Sequence, residues 1–331
     1  MDTVRIGLVG CGGMGRALFA QAATLDYARI VAVSDLDEAR RGEAAEQFGC
    51  EGIADFAALI ARDDIDAVFV ATPGGYHREV VEAAAAAGKH IFSEKPLATS
   101  VEDCDAMIAA VERAGVKHAT GQVCRFHPTH LRLKQMMSEG PLGPVLGMYV
   151  ERLGARWAAS HPTWRLSYKL SGGALMEINA HEIDFMLWLA GPVKRVSAVG
   201  GQMLEDRTDY PDLVFVSMTF ESGAVGVLQS SSIATLGSYA GRFDCMDGSA
   251  SVAQLFGGPI TYKLRDSDET KTVTPEEMKV ETPVLGEVRA FLEALRNGSE
   301  PPVTFQDGRA AVQVAEAAYQ SVESGQPIEL S

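Results

Sequence analysis

The chain has 331 residues, more than one hydrophobic core usually organises, so two domains are expected. Its net charge of −15 argues against a nucleic-acid partner or an anionic membrane surface, both of which need concentrated Lys and Arg, and no apolar run is long enough to span a bilayer. The scattered cysteines (Cys11, Cys50, Cys104, Cys124, Cys245) include no C-x-x-C pair and no signal peptide is read, so a reducing cytoplasm is the expected location.

From the start to about residue 121, short β-branched runs alternate with Ala-rich helical runs. Strands are predicted over 4–9, 30–34, 67–71, 90–93 and 116–120, with helices over 37–48, 76–87 and 101–114. Nearly continuous apolar strands separated by helices imply a parallel sheet covered on both faces, that is, an α/β Rossmann domain over 1–121. The rhythm then changes. A helix over 128–138 stops at Gly140-Pro141, and another over 174–189 follows Gly172-Gly173. Strand-like runs follow at 195–200, 213–220, 224–231, 241–246 and 250–255, with Glu221-Ser222-Gly223 and Asp247-Gly248 reading as hairpin turns. Helices over 286–296 and 306–324 close the chain. Residues 122–331 are therefore expected to form an α+β domain with an open, mainly antiparallel sheet.

Gly10-Cys11-Gly12-Gly13-Met14-Gly15 fits G-x-G-x-x-G between a predicted strand and a predicted helix. Its glycines permit a tight turn, close approach of a pyrophosphate and close helix–strand packing. Asp35 ends the second strand, where a carboxylate accepts hydrogen bonds from a ribose diol and repels a 2′-phosphate. Leu36 follows it rather than an arginine, and Arg40 and Arg41 lie a helical turn away, so NAD is expected over NADP. Two further loops leave strand ends: one carries Thr72, Pro73 and His77, the other Glu94, Lys95 and Pro96. Thr72 also reads as a helix cap and His77 as a packed polar residue, whereas Lys95 points into the expected cofactor cleft.

These features, with Trp164-Arg165, Gly172-Gly173 and His181-Glu182-Ile183-Asp184 in the same order, resemble the glucose–fructose oxidoreductase / inositol dehydrogenase / MocA family over nearly the whole chain. The resemblance implies that Lys95 hydrogen-bonds the reacting oxygen and that His181 carries the proton. It implies that Glu177 stands where an aspartate usually accompanies that histidine, and that Trp164 and Arg165 contact the cofactor beside the Thr72-Pro73, His77 and Glu94-Lys95 loops.

Helical periodicity gives a separate argument. Positions 177, 181, 184 and 188 share one face of a continuous helix, so Glu177, His181 and Asp184 line up beside an apolar stripe. Such a row either faces a cleft or forms a buried polar network. In the first case His181 suits proton transfer, Glu177 steadies its imidazolium and the Lys95 cation stabilises a developing alkoxide on the same hydroxyl. No metal is expected, because His127 and His130 are interrupted by Pro128 and lack a carboxylate cluster. Arg125, His161, Tyr168, Asp184 and Tyr239 are candidate substrate contacts, and Arg125 with Arg156 would suit an anion.

The leading expectation is an NAD-dependent dehydrogenase of a polyol, cyclitol or sugar. An NAD-dependent glycosidase with transient oxidation, and a non-catalytic NAD-binding regulator, are the alternatives. Retention of both Lys95 and His181 counts against the regulator. The open sheet and the resemblance together imply a homodimer or homotetramer through the C-terminal sheet.

Overall fold

The β-branched run Val4–Val9 is almost wholly buried, as a central parallel strand should be. In the computed structural model, which describes residues 2–155, 163–204 and 206–330, it is strand β1 of a six-stranded sheet. Its companions are β2 (Ala28–Ser34), β3 (Glu51–Ile53), β4 (Ala67–Val70), β5 (His90–Ser93) and β6 (His118–Thr120). The order is β3-β2-β1-β4-β5-β6 and every pairing is parallel. Connections from β1 and β4 leave in opposite directions, which makes the carboxyl end of β1 the place where such sheets bind ligands.

The chain divides into two units. Residues up to Val123 group with Val284–Arg309, and Cys124–Pro283 groups with the residues from Ala310 onward. A single boundary near residue 121 was the expectation from sequence; the chain leaves the first unit there but later returns to it. The reason is the apolar stripe of helix Pro283–Asn297, whose Val288, Phe291, Leu292 and Leu295 join Val4, Ile6, Leu8 and Phe19 in one core. Phe291 meets Phe69 and Phe92 with ring centroids 5.7 Å away in each case.

The second unit holds a nine-stranded sheet formed by β7 (Val145–Ala155), β8 (Val193–Gly201), β9 (Leu213–Phe220), β10 (Val225–Ser231), β11 (Ile233–Cys245), β12 (Gly248–Val252), β13 (Ile260–Leu264), β14 (Thr270–Val273) and β15 (Ile328–Glu329). Its order is β14-β13-β12-β11-β7-β10-β9-β8-β15, antiparallel throughout except between β7 and β10. The two expected hairpin turns join β9 to β10 and β11 to β12. On β9, Val214, Val216, Met218 and Phe220 are buried while Phe215 and Ser217 face outward, so one face is packed and the other open. Helix Ala180–Ala190 lies on the packed face, where Gly226 makes room: a side chain there would meet Met186 Cε at 2.6 Å.

The continuous helix expected over 174–189 is interrupted. Gly173–Glu177 and Ala180–Ala190 are separate helices, with Ile178 and Asn179 between them. The amides of Ile178 and Asn179 both reach the Ala174 carbonyl, at 2.9 and 3.1 Å, which widens the turn. Asn179 is fully buried and held from both sides: its amide donates to Glu182 Oε2 at 2.8 Å and its oxygen accepts from Ser230 Oγ at 2.6 Å. Among the described residues, no helix is long and apolar enough to cross a membrane. All five cysteines are free.

Candidate active site

In the first unit, β1 ends in a turn at Gly10, with φ at +99°; a side chain there would meet the Ala71 backbone at 2.6 Å. Gly15 faces the Gly10 carbonyl so closely that a Cβ would lie 2.1 Å from its oxygen. Gly12 and Gly13 differ, since among the described residues no atom beyond their chain neighbours and the helix's own backbone lies within 4 Å of the place a Cβ would take. Two of these glycines are thus demanded by the protein's own packing, while the other two keep space open at a helix N-terminus. That helix, Gly13–Ala22, has no side-chain cap and no acidic residue in its first turn. Unpaired N–H groups, the helix dipole and open space together fit the pyrophosphate of a dinucleotide. Met14, about one-third exposed, borders the same turn.

Asp35, just beyond β2, is pinned. Its Oδ2 accepts the Cys11 amide at 2.8 Å and its Oδ1 accepts the Asp37 amide at 2.9 Å. Each carboxylate oxygen retains a lone pair for a ribose hydroxyl. Arg41 is tied back, donating from Nη1 to the Asp35 carbonyl at 2.8 Å, and exposed Arg40 lies 3.6 Å from Asp37. The Cys11 thiol is pushed up to about 12 by burial and by the Asp35 charge, so it stays protonated.

The loops after β4 and β5 form one clamped piece. His77 is fully buried, with Nε2 at 2.7 Å from the Thr72 carbonyl and Nδ1 at 3.2 Å from the Leu97 carbonyl. Its ring therefore fastens one loop to the other. Gly74 permits the same approach, since a Cβ there would sit 2.9 Å from Pro96 Cγ. Pro73 opens the short turn Gly74–Tyr76 and Thr72 Oγ1 is buried without a partner among the described residues. Lys95 is half-buried at the end of β5, and its amide donates to Glu94 Oε2 at 3.1 Å.

Two residues of this unit escape a reading of the sequence. Gln122, just past β6, is 1% exposed, and neither atom of its side-chain amide has a hydrogen-bond partner among the described residues. Its place at the carboxyl end of a parallel strand is the signal that points to it. The other is Glu287 on helix Pro283–Asn297, at 2% exposure.

In the second unit, the turn Thr163–Leu166 presents Trp164 and Arg165, with the guanidinium carbon 4.6 Å from the Trp164 ring centroid. Arg165 Nε donates to Glu177 Oε1 at 2.9 Å, and the Arg165 carbonyl accepts from Tyr210 Oη at 2.8 Å. Glu177 thus ends its own short helix in an ion pair with Arg165, and the expected row of Glu177, His181 and Asp184 on one helix does not form. His181 is half-buried in the first turn of Ala180–Ala190. Asp184 and Arg125, both considered for substrate, hold each other: Nε to Oδ2 at 2.9 Å and Nη2 to Oδ1 at 2.7 Å, with both side chains largely buried.

Tyr239 Oη lies 3.0 Å from His130 Nε2, and its ring sits 4.4 Å from the Arg152 guanidinium carbon and 4.3 Å from the Phe256 centroid. Tyr168 packs edge-on against Tyr319 at 5.5 Å. His127 packs against His130 and Phe256, and no group of three His, Cys, Asp or Glu side chains among the described residues could hold a metal ion. Arg156 and His161 lie outside the described residues.

Comparison with known proteins places the chain in a family. Residues 4–122 match the oxidoreductase family with an NAD-binding Rossmann fold (Gfo/Idh/MocA), and residues 134–330 match that family's C-terminal alpha/beta domain. The myo-inositol 2-dehydrogenase of Thermotoga maritima is 29% identical over 346 residues, covering 99% of this chain and 98% of that one. A 2,7-anhydro-N-acetylneuraminate hydratase of Mediterraneibacter gnavus is 34% identical over 235 residues, 69% of this chain and 62% of that one. Among solved structures, levoglucosan dehydrogenase in complex with NADH superposes with a TM-score of 0.89 at 25% identity, covering 99% of each chain.

Proposed function

Because the chain belongs to the Gfo/Idh/MocA family of NAD-dependent oxidoreductases acting on CH–OH groups, we propose that its substrate is a sugar, polyol or cyclitol and that Lys95 and His181 handle the reacting hydroxyl. The observation that carries the reading is Lys95 itself, displayed at the end of β5 by a loop clamped through His77, Gly74 and Glu94. The cofactor, when bound, accepts or returns the hydride. Gly12 and Gly13 leave room for its pyrophosphate, Asp35 receives its adenosine ribose, and Gln122 offers a donor and an acceptor at the same end of the sheet.

In this proposal the Lys95 ammonium donates to the reacting oxygen and stabilises alkoxide character as the proton departs. His181 takes that proton during oxidation and returns it during reduction. Glu177 acts with Arg165: their ion pair fixes the turn that carries Trp164, the side chain expected from the family resemblance to contact the cofactor. Arg125 and Asp184 hold each other in a buried two-pronged ion pair, which supports reading them as a brace of helix Ala180–Ala190.

Similarity to a relative named as a hydratase favours one further reading, in which oxidation is transient and an elimination or addition completes the cycle without net NADH. The test is NADH formation from NAD across inositols, aldoses, anhydrosugars and sugar acids, with Lys95→Ala as control and product analysis by mass spectrometry. NADH formation abolished by Lys95→Ala supports the dehydrogenase. A changed sugar without NADH supports the second reading. Bound NAD with no turnover of any compound overturns both in favour of a regulator.

A further inference from the structure

Two buried carboxyl groups lie in the first unit. Glu94, 5% exposed, is on the loop that carries Lys95; Glu287, 2% exposed, is on the returning helix Pro283–Asn297. Their surroundings are unequal. Glu94 Oε2 accepts the Lys95 amide at 3.1 Å, and Gly121 leaves its carboxylate space, since a Cβ there would lie 3.0 Å from Oε1. Neither oxygen of Glu287 is reached by any N–H or O–H donor among the described residues. An ionised Glu287 would be an anion shut off from solvent, reached by no donor among the described residues and repelled by the Glu94 carboxylate, and each condition disfavours charge.

We propose that Glu287 is a neutral carboxylic acid in the folded protein and that, as a hydrogen-bond donor to the Glu94 carboxylate, it positions the Glu94–Lys95 turn. One proton then serves two carboxyl groups, and it resides on the one that lacks a donor of its own. Burial, reinforced by the Glu94 charge, pushes the Glu287 carboxyl well above the usual range. An acid–carboxylate hydrogen bond is among the stronger kinds. It would give the Glu94 side chain a second hold besides the Lys95 amide, so a helix from late in the chain fixes the turn that displays the lysine. The value of that positioning for catalysis rests on the function proposed above; the protonation and the fixed turn do not.

Two measurements that need no substrate test this. Infrared spectra of wild type and Glu287→Gln at neutral pH should differ by the carbonyl stretch of a buried protonated acid, present only in wild type and shifted in D2O. Absence of that band, or its survival in Glu287→Gln, overturns the proposal. Hydrogen exchange of the peptide containing Lys95 should remain slow in Glu287→Gln, which is neutral and can donate. It should quicken about 10-fold in Glu287→Leu, which is neutral and cannot. Equal exchange in the two variants overturns the positioning role. Failure of the dehydrogenase reading would appear instead as unchanged results here with no NADH formed.

Discussion

Arg125 and Asp184 form a two-pronged ion pair inside the second unit, with the Asp184 carboxylate 1% and the Arg125 side chain 12% exposed. Such a pair is costly to break from one side, because the survivor is left as a buried, uncompensated charge. Asp184→Ala should therefore lower unfolding free energy by about 3–5 kcal/mol, and Arg125→Met should do much the same. The double variant Arg125→Met/Asp184→Leu should recover most of that loss. Urea denaturation of the four proteins measures it; additive losses in the double variant would mean the two groups act independently.

The glycines of the first turn separate a demand of the fold from a demand of the ligand. Gly15→Ala places a Cβ 2.1 Å from the Gly10 oxygen, so it should lower the melting temperature and binding together. Gly12→Val places its Cβ in open space, with no atom of a described residue other than its chain neighbours within 4 Å, so it should leave the melting temperature within a degree or two of wild type while NAD binding falls by 10-fold or more. Calorimetry and NADH fluorescence titration of both variants check this. A destabilised Gly12→Val with normal NAD affinity would remove the argument that its open space belongs to a dinucleotide.

The parts of this molecule that could be read from the sequence are those whose neighbours lie close in the chain or whose pattern is pure. Strands β1, β5 and β9 have the expected bounds, since continuous or strictly alternating apolar runs admit one reading. Central strand β7 was not read, because Gly147, Gly154, Glu151 and Arg152 break its pattern. The structure satisfies the charged pair: Glu151 accepts from Ser238 Oγ on β11 and from Tyr149 Oη beside it, and Arg152 stacks on Tyr239 of β11. Edge strands β3 and β14 are short and mostly exposed, leaving little apolar signal. The helix break at Ile178-Asn179 depends on Ser230 from a strand far along the chain, so no local pattern announces it. In the same way the positions of the Gly turn, Asp35 and Lys95 just past the ends of β1, β2 and β5 were legible, whereas the Arg165–Glu177 pair and the burial of Glu287 required the fold.

Asp35 is oriented by two backbone amides, so the ribose contact proposed for it would carry little reorganisation cost. Asp35→Ala should raise the KM for NAD by about 10- to 100-fold, the range of a hydrogen bond to a charged group, with a smaller change in kcat. NADP, no longer repelled, should lose its disadvantage. Initial rates with both cofactors provide the check, and unchanged preference for NAD would place the discrimination elsewhere.

The open face of the second sheet carries exposed apolar side chains in register. Val199 on β8 pairs with Phe215 on β9, and Val225 on β10 lies on the same face. We expect a second copy of the chain to cover this face, since its exposed apolar side chains are otherwise in contact with water. Sedimentation at micromolar concentration should show an oligomer for wild type and a shift toward monomer for Phe215→Glu. A monomeric wild type would end that expectation.

His130 sets a limit on stability in acid. It is fully buried, its Nε2 is engaged with Tyr239 Oη, and burial pushes its imidazole down to about 3, with His127 and Arg152 adding to the effect. The unfolded chain takes up this proton near pH ~6.5 and the folded chain does not until far lower, so stability present above that point is lost as pH falls. Between pH ~6.5 and 5 the loss from this residue is about 2 kcal/mol. His130→Gln keeps a polar partner for Tyr239 and removes the titration, so its melting temperature should fall less than that of wild type between neutral pH and pH ~5. Because His90, His118 and His127 are also held down by burial, the difference between the two proteins, not the slope of either, isolates His130. Parallel curves would show that His130 titrates in the folded state as freely as in the unfolded one.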